Sequence, residues 1–382
     1  MQRHLMTLIY GFAIFKMFFG SGNLIFPLVL GQNSSDQWLF GFLGLLCTGI
    51  VLPFLGLFVI KLHRGSFEDF FGQAGSVARV ALPLFTLSLL GAFGVVPRCI
   101  TVAHGGINTL LPDLPLWGFS LLFCTICFII CLRDRWIISF LGKWIGPLLL
   151  ITLAILFGLG VYYAPPEVAV SSLKATEAFS QGFYRGYETM DLFAAFFFSS
   201  LIFKQIQAKM GEHIDNATLI KAALKPSIIG ATLLGLIYFG FAYLGAHYSN
   251  LSLSVSPELI LPNLAMHLMG DKGAILIGLL MILSCLTTAV ALNNIYARYL
   301  CSLFKLSDSK FIWILLGTTA ISFIISLYDF KGIAAFLSPM LDISYPSLIL
   351  LTFLSILTKG SPKLKKTSFY GLLAFMLGYS YL

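Results

Sequence analysis

Apolar runs of about twenty residues recur along the chain, and the short segments between them carry most of its charge. As a helix rising 1.5 Å per residue, such a run crosses the roughly 30 Å hydrocarbon core of a bilayer. Within that core the backbone must satisfy its own hydrogen bonds, which leaves the helix as the natural form for runs of this length. Reading windows of this size gives eleven candidate spans, at 5–30, 38–60, 80–104, 116–132, 136–163, 183–204, 226–248, 272–298, 311–328, 332–357 and 367–382. The chain is 58% hydrophobic and only 10% charged, whereas soluble domains run near 25% charged. An all-α polytopic protein with the lipid bilayer as its main surroundings is therefore expected. The runs are too many and too long for a cleaved signal peptide to explain them.

The basic residues set the orientation. Eighteen of the 24 Lys and Arg fall in alternate loops, and the intervening loops hold only Lys174, Arg185, Lys272 and Lys331. The positive-inside rule places the basic loops and the N-terminus in the cytoplasm, and eleven spans leave the C-terminus outside. The net charge of +8 is then a topology signal, and no nucleic-acid partner is expected. The segment 246–270 forms a long external loop in which "SPELILPNLAMHLMG" is read either as a short helix over the outer mouth or as ordinary loop. Most of the seven cysteines lie in apolar runs without metal-ligand spacing, and Cys124, Cys127 and Cys131 share one helical face; neither disulfides nor zinc are expected. The six histidines, His4, His63, His104, His213, His247 and His267, form no recognisable metal or catalytic motif.

Two of the spans contain residues that a lipid-facing helix does not need. The first carries "FFGSGNLIFP", Phe18 to Pro27, with two glycines, a serine, an asparagine and a proline, all poor helix formers. Irregular backbone at membrane depth is tolerated only where protein or a water-filled cavity covers it. A break frees amide donors at a half-helix N-terminus and carbonyls at the preceding C-terminus, which suit a carboxylate and a small cation respectively. Gly20, Ser21 and Gly22 are thus read as a carboxylate cradle, with close helix packing through small residues as the competing account. The sixth span opens "GFYRGYETMDLFAAFFFSS", with Gly182, Gly186, Glu188, Thr189 and Asp191 ahead of an apolar run. Breaks at corresponding places in two halves point to a transporter site. Their spacing of five spans requires the second five-helix unit to be inverted, with approximate repeats 1–165 and 175–358 and an extra helix at 367–382 within a single domain, 1–382.

In the eighth span, Ser284, Thr287 and Thr288 of "LSCLTTAVALNN" put hydroxyls on adjoining faces of one helix. They offer oxygen ligands to a hard cation such as sodium, or they bond their own helix carbonyls. Ionisable residues at membrane depth cost roughly 2.5–3.5 kcal/mol each on insertion scales. Lys16, Arg98, Asp191 and Glu188 fall in this class, while Asp329 and Asp342 are placed near the ends of the tenth span. Lys16 either snorkels or borders the cation position; Arg98 calls for a carboxylate partner, in the chain or on a substrate. Phe18, Phe19 and Phe193 stand beside the breaks, where they could line an apolar pocket.

The stretches "FFGSGNLIFP", "VPRCITV", "GFYRGYETMDLFAA", "SCLTTAVAL" and "LSPMLDISYPSLIL" resemble, in order and over most of the chain, the bacterial branched-chain amino acid:cation symporter family of the amino acid–polyamine–organocation superfamily. The resemblance implies a leucine-transporter-like fold of two inverted five-helix repeats. It also implies import of leucine, isoleucine and valine across the bacterial cytoplasmic membrane, with sodium or protons as coupling ion and no other cofactor. By position, Phe19, Gly20, Ser21, Gly22 and Asn23 match the substrate-binding break of the first helix, and Thr189, Met190 and Asp191 that of the sixth. Phe18, Ser284, Thr287 and Thr288 match a sodium site. The chain departs from the family pattern at Lys16, where a small apolar residue is usual; a fixed ammonium there could replace the ion. Gly105 stands where some relatives carry an acidic residue, and the family usually has twelve spans. The alternatives are an exchanger or uniporter for another apolar amino acid such as methionine, an intramembrane enzyme, and a channel.

Overall fold

The computed structural model describes residues 2–108, 110–132, 135–210, 216–251, 255–358 and 360–380, and every regular element among them is helical. The first span is two helices, α1 (Gln2–Phe18) and α2 (Ser21–Ser34). The second is α3 (Trp38–Leu46) and α4 (Leu52–Leu62), joined through a π-helical segment at Cys47–Val51. After the short α5 (Phe67–Phe71) come α6 (Ala78–Leu90), α7 (Val95–Asn108), α8 (Leu116–Leu132) and α9 (Arg135–Tyr162). The sixth span is again divided, into α10 (Ala175–Glu188) and α11 (Asp191–Met210). Then follow α12 (Asn216–His247), α13 (Pro257–Leu303), α14 (Phe311–Ser326), α15 (Asp329–Leu357) and α16 (Pro362–Ser380). Among the described residues, six stretches are long and apolar enough to cross a membrane, and three shorter apolar helices accompany them.

Lipid tails are as apolar as a leucine side chain, so these helices associate by close packing rather than by hiding apolar surface from water. Small residues allow it. A Cβ at Gly182 would lie 1.9 Å from the Gly41 carbonyl oxygen, and one at Gly44 would lie 2.1 Å from that of Phe179. α3 and α10 therefore meet backbone to backbone. Gly182 and Gly186 accordingly sit inside α10 as packing residues and not in the break that follows it. The π-helical segment faces Gly186, and Thr48 Oγ1 donates to the Phe183 carbonyl at 2.7 Å.

The structure moves several boundaries. The third span is interrupted by a turn at residues 91–94 between α6 and α7. The Tyr296 ring of α13 packs so close to Gly91 that a Cβ there would lie 2.6 Å from it, and the Tyr296 hydroxyl bonds Ser88 at 2.9 Å. The sixth span starts at Ala175, well before residue 183. Asp342 lies in the middle of α15, not near its end. The segment at 257–269 is helical, and Gly270, at φ +68°, separates it from the long remainder of α13; a left-handed turn there suits glycine.

α1 packs against α11, and α2 against α10. The two divided spans therefore run antiparallel through the bundle with their breaks side by side.

Candidate functional site

The break in the first span is Phe19–Gly20. Gly20 is extended, at φ −118° and ψ −160°, and its N–H donates to Asn23 Oδ1 at 2.8 Å. Asn23, at the third helical position of α2, thus reaches back to satisfy the N–H of the N-cap residue Gly20. A Cβ on Gly20 would lie 3.3 Å from Thr288 Cγ2 of α13. One on Gly22 would lie 3.1 Å from the Phe26 ring and 3.4 Å from Thr189 Cα, so the two breaks touch at this glycine.

The break in the sixth span is Thr189–Met190. Met190 has φ +61°, a conformation that is uncommon for residues other than glycine. The Met190 N–H donates to the Tyr187 carbonyl at 3.0 Å, and Thr189 Oγ1 to the Gly186 carbonyl at 2.9 Å. These bonds hold the strained turn.

Three buried side chains join the breaks. Asp191 Oδ2 accepts from Asn23 Nδ2 at 2.8 Å and from the Tyr238 hydroxyl of α12 at 2.9 Å, and Asn23 Nδ2 also contacts the Tyr238 hydroxyl. All three are at most 3% exposed. No cationic side chain among the described residues pairs with Asp191. Tyr238 was not legible in the sequence, because a tyrosine in "GLIYFGF" looks like any other aromatic in an apolar run.

Arg98, on α7, approaches from the other side. It is 1% exposed, its Nη1 donates to the Glu188 carbonyl at 2.6 Å, and its guanidinium lies 5.5 Å from the centroid of the Phe26 ring. A cation at the carbonyl end of α10 complements the helix dipole. The Glu188 carboxylate turns away to Arg185 at 2.7 Å. The ring of Tyr345, on α15, lies 4.6 Å from both Tyr187 and Phe193, which flank the break. Phe19 is fully buried against Phe15. A cleft of about 470 Å³, lined by Asn33, Gln181, Tyr184 and Arg185 among others, ends at Glu188, one residue short of the break.

The hydroxyls of the eighth span lie nearer the α1 half. Thr287 Oγ1 and Thr288 Oγ1 both donate to the Ser284 carbonyl, at 2.9 and 3.0 Å. Lys16 Nζ donates to Ser284 Oγ at 3.2 Å. Phe18, at the end of α1, packs its ring on Phe54 and Phe198, so it can serve a cation only through its main-chain carbonyl. The structure therefore gathers the predicted break residues at one level and puts Lys16 on the predicted hydroxyl group. Among the described residues no three His, Cys, Asp or Glu side chains gather as metal ligands; His213 lies outside those residues.

The chain matches the family model described as branched-chain amino acid transport protein over residues 3–379. It is 30% identical to a branched-chain amino acid permease, BrnQ, of Corynebacterium glutamicum over 377 residues, covering 96% of this chain and 84% of that one. It is also 30% identical to the permease BraB of Bacillus subtilis, covering 92% and 80%. Among solved structures it resembles Mhp1, a nucleobase-cation-symport-1 family transporter in a closed conformation, with TM-score 0.64, 14% identity and coverage of 97% and 91%. It also resembles a Na+-coupled sialic acid symporter in an outward-open state, with TM-score 0.60, 12% identity and coverage of 92% and 79%. At these identities the likeness establishes the fold, which is leucine-transporter-like.

Proposed function

The chain belongs to the branched-chain amino acid transport protein family, and on that footing we propose that it imports leucine, isoleucine and valine across the bacterial cytoplasmic membrane by alternating access, driven by a sodium or proton gradient. The observation that carries this reading is the pair of facing breaks, joined by Asn23, Asp191 and Tyr238. A zwitterion needs a negative group for its ammonium and donors for its carboxylate, and it must shed water to enter the bilayer. Asp191 supplies a buried carboxylate that forms no salt bridge among the described residues, and the breaks supply main-chain dipoles. The aromatic rings of Phe19, Phe193 and Tyr345 offer an apolar wall for an aliphatic side chain. The cleft ending at Glu188 is the approach from the outside, with the N-terminus in the cytoplasm. Gly20 and Met190 are the points about which the half-helices would pivot.

The choice of ion turns on Lys16. Ser284, Thr287, Thr288 and the Phe18 carbonyl are the proposed sodium ligands, but an ammonium already lies on Ser284, and both threonine hydroxyls are turned to their own helix. A fixed positive charge at that point favours a proton over sodium as the coupling ion. Uptake of radiolabelled leucine into proteoliposomes tests the function. Accumulation that rises on imposing an inward proton or sodium gradient is expected, and uptake indifferent to both gradients would refute coupled import.

A further inference from the structure

Buried polar atoms in folded proteins nearly always have partners, so those without one point to a missing partner. Among the described residues ten buried side-chain atoms lack a hydrogen bond, and four of them belong to residues around the two breaks: Ser21 Oγ, Arg98 Nε, Arg98 Nη2 and the Tyr345 hydroxyl. The three residues are each at most 1% exposed. α7 packs against both α2 and α15, and α15 against α10. Arg98 is close enough to interact electrostatically with Glu188, Tyr345 and Asp191, and Ser21 lies against Cys99, the residue after Arg98.

The unsatisfied edge of Arg98 has a particular shape. Nη1 is engaged by the Glu188 carbonyl, and Cζ lies over the Phe26 ring. What remains is the Nε–Nη2 edge, two parallel donors spaced for the two oxygens of one carboxylate. Among the described residues no carboxylate fills it. Asp191 is held by Asn23 and Tyr238, Glu188 by Arg185, and no acidic side chain among the described residues forms an ion pair with Arg98. The amide of Gly20, which would otherwise serve an anion, is already bonded to Asn23 Oδ1. A buried guanidinium without a hydrogen-bonded carboxylate is costly, and the nearby hydroxyls of Ser21 and Tyr345 can both donate.

We infer that the Nε–Nη2 edge of Arg98, with the hydroxyls of Tyr345 and Ser21, binds the carboxylate of the transported amino acid. This rests on the substrate reading above and deepens it. Arg98 reads the carboxylate and Asp191 the ammonium, so the site requires both charges of an α-amino acid. Amines and carboxamides of the same shape leave the fork unpaired and are rejected.

Equilibrium binding of radiolabelled leucine to the purified full chain, competed by leucinamide and by 3-methylbutylamine, tests the assignment. Neither analogue should compete effectively with the wild type. Arg98→Gln keeps a donor for the Glu188 carbonyl but removes the charge and the fork. It should weaken leucine binding by roughly 10-fold or more, the usual worth of a hydrogen bond to a charged group, and should bring leucinamide close to parity with leucine. Tyr345→Phe keeps the ring stacking and removes one donor; combined with Ser21→Ala it should narrow the leucine-to-leucinamide ratio in the same direction. Should Arg98→Gln fail to fold, the double variant decides on the same ratio. Wild-type binding with an unaltered ratio in the folded variants would overturn the inference alone. Absence of leucine binding by the wild type would overturn the substrate reading, and this inference with it.

Discussion

At Gly22 the two breaks are in contact. Branched side-chain carbons there would meet the Phe26 ring and the backbone of Thr189, so Gly22→Val is expected to abolish leucine uptake while membrane insertion stays normal. Normal uptake by that variant would remove the breaks from the site. Asp191→Asn keeps the shape and removes the charge; a loss of roughly 10- to 100-fold in leucine affinity is expected if the carboxylate meets the substrate ammonium, and equilibrium binding measures it. Lys16→Ala should make uptake respond to sodium, because the ammonium no longer occupies the Ser284 position; Thr288→Ala in that background should then raise the sodium concentration needed for half-maximal rate. A sodium response already present in the wild type and unchanged by Lys16→Ala would argue against the resident-ammonium account. At this scale the sequence announced residues that are out of place in a membrane, such as Lys16, Arg98 and Asp191. It could not announce Tyr238 or Tyr345, whose roles depend on which helix each faces.

Among the elements, the divided helices were legible because glycine, asparagine and a Thr-Met-Asp sequence stand where an apolar run should continue. The bend between α6 and α7 was not legible: "LLGAFGVVPR" reads as a continuous span, and the turn reflects the Tyr296 ring of a distant helix pressing on Gly91. Gly182 and Gly186 misled in the opposite direction, since packing glycines and break glycines look alike in one dimension. The strain at Met190 makes a prediction of its own. A β-branched residue is poorly tolerated at φ +61°, so Met190→Val should lower stability, read as an earlier thermal transition in detergent. Met190→Gly relieves the strain but removes a fully buried side chain, so its transition should also fall below that of the wild type. An unchanged transition for Met190→Val would mean that the left-handed turn is not retained.

For the whole molecule, alternation of basic loops predicts a definite orientation. In a cysteine-free background, a cysteine at Ser172 should react with an impermeant maleimide added to intact cells, and one at Ser307 only after permeabilisation. The reverse pattern would invert the proposed direction of the cleft. Helix number and alternation are summed over many residues and so survive errors at single boundaries. The meeting of α2, α7, α10 and α15 around Arg98 is a matter of tertiary packing, and no local signal encodes it. The account as a whole depends on the two breaks jointly holding a zwitterion. An experimental density map of the protein with leucine bound tests this most directly. The account predicts the ammonium beside Asp191 and the carboxylate between Arg98 and Ser21, at the level of Gly20 and Met190. Leucine bound elsewhere, or first and sixth helices running through that level without interruption, would contradict it.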